Sequence, residues 1–202
     1  MNLIPDDQRN IIDELIEEER IEDALTRLAE YVEANPTQEI LYQHLEILME
    51  NFDWEKATPE LAEHTARTLD KLEATPEAQP YIDRVDRTIN GLVDAMQGEI
   101  REEMREIAKR SEALLPLAPR WPTIYGIHGQ AYLNIMTITQ RRSSFFSRDE
   151  PAPRLNRNDL NTAQGSLEKA LAALDSKHPM YKKCLLAMID VFQHLEDHEK
   201  AL

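Results

Sequence analysis

The chain has 202 residues, with 38 Asp and Glu against 23 Lys and Arg, for a formal net charge of −15. That length suits one elongated domain or two small ones, and the acidity excludes general nucleic-acid binding, which needs a basic footprint to displace counterions. No apolar stretch approaches the ~18 residues of a membrane-spanning helix, and the acidic start MNLIPDDQ lacks the basic-then-apolar order of a secretory signal.

Helix dominates the expectation, because glycine is scarce at 5, aromatics reach only 6%, and Ala, Leu, Glu, Arg and Lys are good helix formers. The first pair reads from Ile11, Ile12, Leu15 and Ile16 at helical spacing, then Ile21, Ala24, Leu25, Leu28, Tyr31 and Val32 after an EEER turn. Asn35-Pro36 stops the second helix, since proline lacks the amide hydrogen. Residues 40–52 follow with Leu41, Leu45, Leu48 and Met49 as a stripe. Thr58-Pro59 opens a helix carrying Leu61, Thr65, Leu69 and Leu72. Two irregular long helices come next, one through Ile89, Leu92, Val93 and Met96, the other through Ile100, Met104, Ile107 and Leu114. Gly91 and Gly98 mark either a bend or a continuous helix.

The segment Tyr125-Gly126-Ile127-His128-Gly129-Gln130-Ala131-Tyr132 begins another pair, whose second helix carries Ala163, Leu167 and Ala170. Between them lies an expected inserted loop, 138–158, longer than a hairpin needs and holding Arg141, Arg142, Phe145 and Phe146. Three readings stand for it. One is an irregular insertion whose phenylalanines tuck onto neighbouring helices. Another is a docking element that presents Phe145 and Phe146 while arginines steer an acidic partner. The third is phosphate or nucleic-acid binding by the arginines and phenylalanines. A last helix reads from Leu185, Met188, Ile189 and Phe192, with a turn expected before Ala201 opens an incomplete second helix. Solenoid ends need a polar cap, so either more chain follows or another subunit covers Leu185, Met188 and Phe192.

These hairpins resemble the tetratricopeptide repeat (TPR) family. The second-helix signature falls on Ala24, Leu28, Tyr31 and Pro36, with Tyr31 where the family prefers alanine. The first-helix signature falls on Tyr125, Gly129 and Tyr132, with His128 where leucine is usual. The resemblance implies an all-α fold of antiparallel helix pairs stacked as a TPR-like solenoid, in one domain over residues 1–202. Its parts would be N-terminal pairs (5–76), irregular helices (77–119) and C-terminal pairs (120–202) with the last repeat incomplete. It also implies a protein-binding groove at fixed first-helix positions. Here those are Arg9, Asp13, Ile16 and Glu17, then Gly126, Gln130, Leu133 and Asn134. Asp13 and Glu17 oppose the lysine, asparagine and arginine chemistry of the family's carboxylate-clamp subgroup.

Charge is uneven. Residues 1–119 hold 12 Lys and Arg against 29 Asp and Glu, residues 120–157 hold 6 against 2, and residues 158–202 hold 5 against 7. An acidic body with a basic island favours a basic or amphipathic protein partner.

The search for chemistry yields no catalytic, cofactor or metal residue. His194 and His198 are four apart, but a zinc site needs at least three protein ligands and the expected turn separates them. His128 reads as a satisfied core histidine, and His44 and His64 lie on separate helices. Cys184 is the lone cysteine, so no intrachain disulfide can form, and it reads as a packed thiol. No phosphate loop or nucleophile elbow is present. The expected function is a cytoplasmic, non-enzymatic scaffold or adaptor. The alternatives are a structural subunit or acidic secretion-type chaperone that self-associates through its C-terminal edge, and the helper domain of a longer enzyme or regulator.

Overall fold

The computed structural model describes residues 4–35, 37–51, 58–72, 78–96, 101–146 and 156–200, with side chains 50, 51, 101, 102, 138–146 and 197–200 outside that description. Pro36, Gly98 and Ala201, on which sequence expectations fell, lie outside the described residues, as do 147–155. The described residues are all-helical, with no strand. In chain order the helices are α1 (Asp6–Glu17), α2 (Ile21–Ala34), α3 (Gln38–Asn51), α4 (Pro59–Lys71), α5 (Gln79–Ala95), α6 (Arg101–Ala113), α7 (Thr123–Phe146), α8 (Arg157–Ala173) and α9 (Pro179–Lys200), with a 3₁₀ turn at Leu115–Leu117. The chain divides into two compact units, residues 1–88 and 89–202, and the division falls within α5.

In the first unit α1 packs on α2, α2 on both α3 and α4, and α3 on α4. The α1–α2 turn is sharply made. Arg20 N–H bonds the Leu15 carbonyl at 2.9 Å and Glu19 N–H bonds Ile16 at 3.0 Å, the two reversed bonds of a Schellman end. That end needs a left-handed residue, and Glu19 supplies it with φ 60°, where glycine is usual. Thr58 caps α4 by accepting from Leu61 N–H at 3.3 Å, and Pro59 fills the first helical position as expected. The core of this unit includes Ile12, Leu25, Leu28, Leu41, Leu45, Leu48 and Leu69, each at most 2% exposed.

In the second unit α7 packs on α6, α8 and α9, and α8 also packs on α9. Glycines make this possible. A Cβ added at Gly129 would sit 2.7 Å from Leu167 Cγ and 3.0 Å from the Ala163 carbonyl, both on α8. One added at Gly126 would sit 2.8 Å from Met180 Cγ and 2.9 Å from Cys184 Sγ, both on α9. The sequence match of Gly129 to Ala163 and Leu167 is thus a physical contact.

Two sequence expectations are corrected. The loop expected over 138–158 does not start at 138, because α7 is helical through Phe146. Nothing from Ile127 to Phe146 breaks a helix except Gly129, and the first proline is Pro151. The turn expected after Phe192 is absent, because α9 runs unbroken to Lys200. Neither proline nor glycine interrupts residues 180–202, so the acidic run HLEDHEK stays helical. The open question at Gly91 is also resolved, since α5 continues through it to Ala95 before α6 begins at Arg101.

Candidate functional site

Three surfaces and two buried side-chain pairs are the places where chemistry or recognition can reside. The first surface is α1. Arg9, Asp13, Ile16 and Glu17 recur on one face of this helix; Arg9, Asp13 and Ile16 are half-buried and Glu17 is exposed. Ile11, on the opposite face of α1, is 39% exposed. A recess of about 370 Å³ at the α1–α2 turn and the start of α4 has Ile21 and Leu25 in its wall and Glu19, Glu22, Asp23 and Glu60 around it. Arg20, in the same recess, is held by Asp23 at 2.8 Å and Glu18 at 3.2 Å. Residues 1–88 hold 8 Lys and Arg against 23 Asp and Glu, whereas residues 89–202 hold 15 of each. The entire net charge of the chain therefore belongs to the first unit.

The second surface is the groove face expected on α7. Here the structure places side chains inward. Gln130 is half-buried, and its Nε2 donates to Met180 Sδ at 3.1 Å and lies 3.8 Å from Cys184 Sγ. Asn134 donates weakly to Met104 Sδ of α6 at 3.8 Å. Leu133 is buried, and Gly126 is covered by α9. Arg141, Arg142, Phe145 and Phe146 are brought onto the C-terminal turns of α7, with backbone positions described and side chains not. The α1 residues and the α7 residues lie in different units.

The third surface is on α9. Its buried side, Met180, Cys184, Ala187, Met188 and Val191, faces the second unit's core. The opposite side leaves Leu185, Leu186, Ile189 and Phe192 between 43% and 55% exposed. Sequence reading had grouped Met188 with the open edge; it is instead 7% exposed and part of the core.

The buried pairs were missed in the sequence. His44 Nδ1 lies 3.0 Å from Thr68 Oγ1, and Thr68 donates its single proton to the His64 carbonyl at 2.8 Å. His44 Nδ1 must then be the donor, which leaves its Nε2 a buried lone pair without a partner. Burial, reinforced by the positive charge on His64 and Lys71, pushes His44 down to about 3, so the ring is neutral. The His44 and His64 rings meet edge-on at 6.3 Å because α3 and α4 form one hairpin. His64 is also lowered, mainly by burial.

The second unit repeats the device. His128 Nδ1 lies 2.8 Å from Ser166 Oγ, its Nε2 also lacks a partner, and Tyr132 stacks at a tilt 5.0 Å away. Burial lowers His128, with Glu112 opposing and Lys169 adding to the shift. His128 is thus a core residue with one ring nitrogen bonded. The two hairpins correspond position by position. Leu41, His44, Leu45 and Leu48 match Tyr125, His128, Gly129 and Tyr132, while Thr65, Thr68 and Leu69 match Ala163, Ser166 and Leu167. An interval search for histidines would have found the first four, and a hydroxyl preceding each buried leucine would have found the rest.

Among the described residues the hydrogen-bond partners of the two rings are hydroxyls, Thr68 for His44 and Ser166 for His128. His194 and His198 lie on one continuous helix, contrary to the expected turn, but no group of three metal-binding side chains occurs among the described residues searched. No helix among the described residues is long and apolar enough to cross a membrane. No family model, curated protein or solved structure matches the chain.

Proposed function

We propose that this chain is a TPR-like interaction module that binds a basic or amphipathic protein segment through its first unit. The observation that carries the reading is the concentration of the whole net charge of −15 in residues 1–88. There, the acidic recess offers apolar contact at half-buried Ile21 inside a negative rim. Opposite charge accelerates encounter and disfavours acidic competitors. Helical hairpins bind such segments by laying an amphipathic helix against a helix face, and half-buried Arg9, Asp13 and Ile16 with exposed Glu17 form such a face on α1.

The test uses a fluorescein-labelled Lys/Leu amphipathic peptide titrated into the full chain, read by anisotropy and by amide shifts in α1. Binding should weaken as salt rises, and a double change, Asp13→Lys with Glu17→Lys, should cost about tenfold in affinity. Equal binding of a Glu/Leu peptide, or shifts confined to residues 89–202, would contradict the assignment. A self-associating structural subunit is the second reading, favoured by the exposed apolar side of α9.

A further inference from the structure

We infer that α9 pairs antiparallel with α9 of a second copy of this chain, about a two-fold axis at Ile189. The inference deepens the second reading above and is independent of the first.

It starts from a stripe. Lys182, Leu185, Leu186, Ile189, Phe192, Gln193 and Glu196 are all exposed, and their spacing of three, one, three, three, one and three places them on one face over two helical turns either side of the centre. The spacing of the stripe is symmetric about Ile189, with Leu185 mirrored by Gln193. Lys182 and Glu196 each lie seven residues away, about 10 Å along the axis, and Leu186 and Phe192 each lie three away. Reversing the helix about Ile189 therefore sets Lys182 of one copy against Glu196 of the other, twice. Phe192 then lies beside Leu185 of the second copy, Leu186 lies beside its Gln193, and Ile189 meets its own counterpart. One patch complements itself, as an isologous interface requires.

The charge order supplies an independent argument. Lys182 and Lys183 sit near the N-terminus of α9 and Asp190 and Glu196 toward its C-terminal half, and no acidic residue occupies the first turn. A lone helix prefers the opposite order, because its N-terminus is the positive end of its dipole. Paired antiparallel, Lys182 meets Glu196 across the seam and the two dipoles oppose, while Lys183 and Asp190 lie off the stripe. Four partly exposed apolar side chains make a face smaller than the ~800 Å² per partner of a standard interface, so the dimer should be reversible, dissociating on the order of 10 µM.

Sedimentation velocity of the full chain, from about 1 to about 200 µM, tests it. A concentration-dependent monomer–dimer equilibrium is expected. Ile189→Glu should weaken it at least about 100-fold while leaving helical circular dichroism and the melting temperature unchanged, because the side chain is exposed in the monomer. Lys182→Glu should weaken it about tenfold, and adding Glu196→Lys should restore it to within about threefold. Ile189→Cys should give a disulfide-linked dimer on mild oxidation, since the two side chains meet at the axis. A wild-type chain that is monomeric throughout would overturn both the pairing and the self-association reading. A dimer that persists in Ile189→Glu, or that the charge swap fails to restore, would overturn the α9 pairing alone.

Discussion

Glu19 occupies a left-handed position that closes α1, and the energetic preference there is for glycine. Replacing it should relieve about 1–2 kcal/mol of backbone strain, less the entropy glycine adds to the unfolded chain. Glu19→Gly is therefore expected to raise stability by about 0.5–1 kcal/mol, seen as a higher urea midpoint with an unchanged slope. His44 acts in the other direction, through pH. Its folded pKa lies near 3, below the ordinary 6.5, so the unfolded chain binds the proton more readily. The stability due to the neutral ring is complete above about pH 6.5 and falls away as pH drops toward 3. Between pH 7 and pH 5 His44 alone should cost about 2 kcal/mol. His44→Leu should remove that slope and the unpaired Nε2 together, in urea titrations at the two pH values; an equal loss in both proteins would contradict the assignment. The place of His44 on the stripe of Leu41, Leu45 and Leu48 was legible from sequence, but its partner was not, since an i, i+24 pairing with Thr68 is defined only once α3 and α4 fold back on each other.

At the scale of helices, chemically identical changes should have opposite signs. Gly91 has nothing within 4 Å of an added Cβ, so Gly91→Ala in α5 should gain about 1 kcal/mol of helix propensity. Gly129→Ala should instead lose about 1–3 kcal/mol, because its Cβ would press on Leu167 and on the backbone carbonyl of Ala163, which cannot turn aside. Thermal melts of the two single variants check the pair. The Gly129 contact was readable in advance, because a small residue at helical spacing between Tyr125 and Tyr132 requires a close neighbour. The ends of α7 and α9 were harder to read. Polar, arginine-rich or acidic segments without proline or glycine fit an exposed helix as well as a loop, and hydrophobic periodicity is silent where no core is being built. Gln130 and Asn134 illustrate a different limit. Their groove positions followed from a repeat pattern, but α9 and α6 approach α7 closely enough to engage both side chains internally.

Across the whole molecule, net charge and architecture divide at the same place. The first unit holds 23 acidic residues against 8 basic ones, and self-repulsion in it should be screened by salt, whereas the balanced second unit should respond little. Hydrogen exchange followed by mass spectrometry at about 0.02 and about 0.5 M NaCl should show protection rising in residues 4–72 and nearly constant in residues 101–196. Uniform change across both would argue against a charge origin. The position of Cys184 has one more consequence. Its side chain is wholly buried with Gly126 and Gln130 of α7 beside the sulfur, burial pushes the thiol up, and the Gln130 amide only partly offsets that. An alkylating reagent can reach it only when the last helix swings off its bed. The single native thiol is thus a built-in clock for that excursion, and its rate of modification counts how often the terminal helix lets go.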